Sequence, residues 1–256
     1  MEIPPLRPRD LIHRALAAAA PRRRFLRGGP ARSNSACLSF DDGPDPEQTP
    51  RLLDTLGEHG LAATFFVIGR RARRHPGIVR RIAAEGHAVG NHTFTHPDPA
   101  RISTRRLLAE VCHTGGLLAD LLGRETTLFR PPYGRVTAPQ LVGLWRAGQA
   151  VVLWNEDPKD FASGSAEEVR AWFRARPPGA GSLVLLHDDR PHARLVVPDL
   201  AASARARGLE FTTVARWVEG AGPKPRPLDA GGPGRQIRPG WSTWGWESAE
   251  IRSRRR

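Results

Sequence analysis

From about Ala36 to Val214 the chain alternates short apolar runs with longer amphipathic stretches. Runs of four to seven residues bounded by Gly, Pro or acids read as buried strands, expected at 37–40, 62–68, 87–89, 128–129, 150–154, 183–186 and 210–214. Apolar positions three and four apart predict helices over 47–59, 78–85, 103–122, 139–147 and 195–206, with a further helix starting at Ser165. Ser103 and Ser165 stand where a helix N-cap belongs. Strand and helix in strict alternation, about seven times over, is the signature of βα units and a mostly parallel sheet.

In such folds functional side chains gather at the C-terminal ends of the strands. Asp41, Asp42, His92, Arg130, Asp160 and His187 each stand just past an expected strand. Six chemically capable residues from independent segments would thus meet at one end of a barrel or barrel-like sheet.

Residues 1–34 are rich in Pro, Arg and Ala, with at most a short helix over 11–20, and are expected to be a basic extension preceding a domain over 35–219. After Val218 the periodicity ends. Residues 220–256 form a Gly/Pro/Trp/Arg-rich tail containing Trp241, Trp244 and Trp246, expected to be flexible.

Charge adds little once it is localised. The formal net charge is +13, but residues 1–34 carry +6 and 221–256 carry +5, leaving +2 on 35–220. A nucleic-acid partner would rest on the tails alone, so it is not expected. Cys37 and Cys112 fall in an apolar run and a helical pattern, and a reduced buried pair is expected. No apolar run of about 18 residues is present, so no membrane-spanning helix is expected. The apolar run 16–20 is short, and Arg22–Arg24 follow it instead of preceding it, which is the wrong order for an export signal. A cytoplasmic monomer is the expectation.

The chemistry centres on Gly-Asn-His-Thr-Phe-Thr-His, residues 90–96. His92 and His96 are four residues apart, a spacing that puts both imidazoles on one face of a helical turn, within reach of one metal ion. Thr93 follows the first histidine, so the H-E-x-x-H arrangement with its adjacent glutamate base is excluded. A third ligand and a base must come from elsewhere. Asp41 and Asp42 supply them at the end of the 37–40 run: one carboxylate can bind the cation while the other takes a proton from water. The residues themselves leave open which does which.

Ser-Phe-Asp-Asp-Gly-Pro at 39–44, followed by the histidine motif, resembles the polysaccharide deacetylases of carbohydrate esterase family 4, the nodulation-type deacetylase homology domain. The resemblance spans roughly 35–219 and implies a distorted (β/α) barrel with about seven parallel strands. It implies that Asp42, His92 and His96 hold a divalent metal, Zn²⁺ first and Co²⁺ or another divalent ion second, and that Asp41 is the general base. Arg130-Pro-Pro-Tyr133-Gly matches the third motif: Arg130 would hold the base carboxylate, and the Tyr133 amide would face the oxyanion. Residues 154–161 resemble the D-x-x-D-W motif with Phe161 in place of the tryptophan. By position Asp160, not Asp157, would orient the catalytic histidine. Leu185-Leu186-His187 matches L-x-H, so that Leu185 would line the acyl pocket and His187 would protonate the leaving nitrogen. The implied activity is removal of N-acetyl groups from an amino sugar or N-acetylated glycan. Deformylation or cyclic-amide hydrolysis of a non-sugar molecule, and a non-catalytic carbohydrate-binding barrel, are the alternatives.

Overall fold

The structure is a computed structural model and describes residues 24–30 and 33–220. The described residues all belong to one compact unit. The helix expected over 11–20 and the tail from 221 onward lie outside them.

The chain runs β1 (Phe25–Leu26), β2 (Ser35–Asp41), α1 (Gln48–Glu58), β3 (Ala63–Val67), α2 (Gly69–Arg74), α3 (Pro76–Ala84), β4 (Ala88–Asn91) and α4 (Thr104–Leu122). It continues through β5 (Leu128–Phe129), α5 (Ala138–Arg146), β6 (Ala150–Val152), α6 (Ala166–Ala175), β7 (Leu183–His187), α7 (Pro191–Ala206), β8 (Glu210–Phe211) and α8 (Val214–Glu219). Every strand pairing is parallel, in the order β1-β6-β5-β4-β3-β2-β7, with β8 against the start of β2. Past β6 the chain reaches β7: Leu185 N–H donates to Glu156 O at 2.9 Å, and Asn155 and Glu156 N–H both donate to Leu183 O at 3.2 Å. This irregular seam turns the sheet into the distorted (β/α) barrel that the family resemblance implied.

Alternation along each strand sorts the side chains into two sets. Leu38, Phe40, Phe65, Val67, Val184 and Leu186 pack outward onto Leu53 of α1, Ile82 of α3 and Val196 of α7. Cys37, Phe66 and Leu183 belong to a second cluster with Leu128, Val152 and Val214. All of β3 is buried, as is β2 from Ala36 onward. Burial on both faces explains why these strands read as continuous apolar runs instead of alternating ones.

Several expectations move. Phe25 and Leu26, placed by the sequence in the basic extension, form β1 against Val151 and Val152. Two apolar residues among arginines carry no period, so only the parallel partner defines that strand. The segment 69–74 folds as α2, which had not been expected. The strand expected over 210–214 stops at Phe211, because Thr213 accepts the Arg216 N–H and starts α8. Both cysteines are free, but only Cys37 is buried; Cys112 lies on the exposed side of α4. Burial pushes the Cys37 thiol up to about 12 despite its contact with Thr64.

Gly90 in β4 is where two inner side chains need room. A Cβ at this position would lie 2.5 Å from Cδ1 of Phe66 and 3.3 Å from Cβ of Leu128. Gly90→Ala is therefore expected to destabilise the fold by about 1–3 kcal/mol, as overpacking does. The measurement is the shift of the urea midpoint.

Candidate active site

Arg130, at the end of β5, is a fully buried arginine. Its Nη1 donates to Asp41 Oδ1 at 2.7 Å, its Nε to Val152 O at 3.2 Å and its Nη2 to Leu153 O at 3.0 Å. The guanidinium lies 4.1 Å above the Phe66 ring. Each nitrogen has a partner, as burial of a cation requires. Asp41 closes β2, buried, with Oδ1 taken by Arg130 and Oδ2 at 3.8 Å from His92 Nε2. Burial raises the Asp41 carboxyl above the usual carboxylate range, while the charges of Arg130 and His187 pull it back.

Adjacent residues in a strand point to opposite faces, so Asp41 and Asp42 should diverge. They do not, because Asp42 adopts a left-handed conformation with φ 76°. Its Oδ1 comes within 3.5 Å of His92 Nε2 and 3.3 Å of His96 Nε2. Among the described residues, these are the three metal-ligating side chains whose donor atoms lie within 4.8 Å of one another.

The trio passes three tests as a metal site. Asp42 Oδ1 is buried yet has no hydrogen-bond partner. A tetrahedral ion with bonds of about 2.0–2.1 Å separates its ligand atoms by about 3.3 Å, close to the 3.5 and 3.3 Å from Asp42 Oδ1 to the two imidazoles. His92 Nδ1–H donates to Arg130 O at 2.8 Å, which leaves the Nε2 lone pair facing Asp42. Burial, helped by the neighbouring His96 and Arg130 charges, lowers His92 to about 3 against the pull of Asp42, so the imidazole is neutral and ready to ligate. Two histidines and one carboxylate suit Zn²⁺ and leave a position for water.

The sequence expected His92 and His96 on one helical turn, and that is corrected. β4 ends at Asn91, and the following loop contains Thr93 at φ 66° and His96 at φ 60°. The two imidazole centroids are 5.0 Å apart by this route. Thr93 N–H donates to Asn91 Oδ1 at 2.9 Å, and His96 N–H to Thr93 Oγ1 at 3.1 Å.

Across the mouth, Asp160 holds His187 twice. The His187 backbone N–H donates to Oδ2 and its Nδ1–H to Oδ1, each at 2.8 Å. Nε2 is thereby left free. Burial opposes the imidazolium, but the hydrogen bond and charge of Asp160, with Asp41 and Asp42 adding, raise its pKa to about 9. The register pairs Asp41 with His187 and Ser39 with Leu185, so the base candidate and the acid candidate stand side by side. Leu185 is buried two residues before His187, on the same face of β7. Phe161 is half-exposed with its ring centroid 5.3 Å from that of His187. Tyr133, at φ 59°, is exposed beside His96. Gly134 and Arg135 N–H carry the hydrogen bonds of its turn, to Pro131 O and Pro132 O, and the Tyr133 N–H takes no part in them. Asp157 instead binds Lys159 and the Trp154 indole.

Two supporting carboxylates were not singled out from the sequence. Asp188 is buried, accepts the Thr49 hydroxyl at 2.6 Å and lies so close to Gly43 that a Cβ there would be 2.0 Å from its Oδ2. Glu110 receives the backbone of the histidine loop. The legible signal for Glu110 was a charged residue within the buried stripe Leu107, Val111, Thr114 and Leu118 of α4; Asp188 was marked only by standing next to His187.

The family model described as "Polysaccharide deacetylase" matches residues 28–151. A chitooligosaccharide deacetylase of Rhizobium leguminosarum bv. trifolii is 37% identical over 179 residues, covering 70% of this chain and 80% of that protein. A peptidoglycan-N-acetylglucosamine deacetylase of Bacillus cereus is 39% identical over 141 residues, which are 55% of this chain and 51% of that protein. The crystal structure of the Bc1960 peptidoglycan N-acetylglucosamine deacetylase superposes with a TM-score of 0.73 at 31% identity, over 77% of this chain and 94% of that one. The chain belongs to the polysaccharide deacetylase family, the metal-dependent deacetylases of carbohydrate esterase family 4.

Proposed function

We propose that the protein removes the acetyl group from N-acetylglucosamine residues of a glycan, with Zn²⁺ held by Asp42, His92 and His96. One observation carries this reading: the metal-ligand trio lies between a carboxylate fixed by Arg130 and an imidazole fixed by Asp160. N-acetylglucosamine is the unit shared by the named substrates of the peptidoglycan and chitooligosaccharide relatives. A binding-only barrel has no use for an acid, a base and three ligands together.

A divalent cation in this site supplies a Lewis acid for the acetyl carbonyl and lowers the pKa of a water beside it. The protein's residues do the rest. Arg130 favours the ionised form of Asp41 against the burial that raises its pKa, and leaves Oδ2 to take the proton as a water oxygen bonds to the carbonyl carbon. The Tyr133 N–H donates to the oxygen that gains the negative charge. His187, charged at neutral pH, gives its proton from Nε2 to the amide nitrogen as the C–N bond breaks. Acetic acid and a free amine leave, the acid giving its proton to solvent, and proton transfer from Asp41 to His187 restores both groups. Leu185 and Phe161 wall the acyl side and exclude water.

Removing a ligand and removing the base have different outcomes. His92→Ala is expected to lose bound metal and acetate release together. Asp41→Asn is expected to keep full metal occupancy and lose about 10²–10⁴-fold in kcat, the usual contribution of a general base. Elemental analysis with an acetate-release assay on chitooligosaccharides and on peptidoglycan checks both. Metal retained in His92→Ala would overturn the ligand assignment.

The pH profile of kcat/KM tests the other half of the site. His187 must start protonated, so activity falls as pH rises through its pKa, about 9 without a cation and lower with one nearby. Asp160→Asn removes the stabilising charge, so the alkaline limb should move to lower pH by at least about one unit with metal content unchanged. An unmoved limb would assign it to another group.

A further inference from the structure

We propose that Glu110 is a positioning residue for the metal site: it touches no ligand atom, but it sets the loop that brings His92 and His96 together. The proposal rests on the metal reading above.

Glu110 lies on the inner face of α4 and is 4% exposed. Its Oε2 accepts the Phe94 N–H at 3.0 Å and the Thr95 N–H at 2.7 Å, and its Oε1 accepts the Thr95 hydroxyl at 3.0 Å. Arg106, half-exposed one turn earlier, pairs with Oε1 at 2.8 Å. All three bonds to the loop thus fall on two residues between the histidines.

The loop needs such an acceptor. Left-handed conformations at Thr93 and His96 break any strand or helix ladder, so the Phe94 and Thr95 amides have no regular backbone partner. A buried N–H without an acceptor costs about 1–3 kcal/mol, enough to favour other loop conformations. One carboxylate oxygen satisfies both amides and fixes their common direction. The orientation of His92 and His96 follows, because only one backbone unit separates each anchored amide from a histidine. The carbonyls on the other side of the loop are also held: Thr93 O accepts from Gly69 N–H and Phe94 O from Arg70 N–H, both at 2.9 Å. Glu110 and the start of α2 therefore grip opposite edges of the same loop.

The hydrogen-bond role separates cleanly from a charge role. Glu110→Asp keeps the charge but withdraws the carboxylate by one carbon, about 1.5 Å, out of reach of the amides. Glu110→Gln loses the charge and the ion pair with half-exposed Arg106, and its Nε2 donates to the Thr95 hydroxyl where Oε1 had accepted from it, but it keeps an oxygen that can accept both N–H groups. The experiment titrates Zn²⁺ into the metal-free full chain against a chromogenic chelator, with the visible spectrum of the Co²⁺ form reporting geometry. Glu110→Asp should weaken Zn²⁺ binding about 10–100-fold, as loss of ligand-orienting partners does, and alter the Co²⁺ spectrum. Glu110→Gln should stay within about threefold of the parent, against that same 10–100-fold scale. Parent-like binding by Glu110→Asp overturns the proposal, as does equal weakening in both variants, which would make the charge decisive. Failure of the parent chain to bind Zn²⁺ would instead overturn the metal assignment on which the proposal rests.

Discussion

The site depends on one buried ion pair. Arg130 and Asp41 meet at 2.7 Å in the barrel with almost no access to water. Pairing alone does not offset the desolvation of two such charges, and removing one partner of a buried pair destabilises by about 3–5 kcal/mol. Here the remaining guanidinium nitrogens bind the carbonyls of Val152, the last residue of β6, and of Leu153 just past it, and the cation lies over Phe66. The arginine thereby links β2, β3, β5 and β6 in one network. Its backbone carbonyl also accepts from His92, so the group that holds the proposed base also orients a proposed metal ligand. Stability and chemistry are coupled at this residue.

A second constraint is written in the backbone. Among the described residues, the non-glycine positions with positive φ are Asp42, Thr93, His96, Tyr133 and Lys159. Asp42 and His96 are proposed ligands, Thr93 and Tyr133 turn the loops that face the candidate metal site, and Lys159 precedes Asp160. Left-handed backbone costs roughly 1–2 kcal/mol at a residue with a Cβ. The strands deliver these residues to one rim, but strand geometry alone would send half of their side chains away from it. The left-handed turns reverse that, and in the histidine loop hydrogen bonds accepted by Glu110, Asn91 and Thr93 hold them.

The two sides of the mouth use the same device. A buried carboxylate, Asp160, fixes a histidine through both its backbone and its ring, and another, Glu110, fixes the loop of two more. Neither is placed to react. Both give an imidazole a defined direction, the preorganisation that metal and proton-transfer chemistry require.

Most of the architecture was legible because it is periodic. Buried parallel strands read as apolar runs, amphipathic helices read at three- and four-residue spacing, and the short polar motifs after each run marked the barrel rim. Asp41, Asp42, His92, Arg130, Asp160 and His187 were all identifiable as residues just past an expected strand, His96 by its spacing from His92, and the structure brings them together. What the period does not encode was decided by tertiary structure. The four-residue spacing of the histidines suggested a helix, yet left-handed residues and Glu110 bring the rings together in a loop. Strand alternation could not say that adjacent aspartates would converge, because Asp42 leaves the strand conformation. β1 exists only because Val151 and Val152 offer an edge, and α8 begins where Thr213 caps it. Sequence determines what repeats locally; contacts between residues far apart in the chain decide where a chain turns against its own propensity.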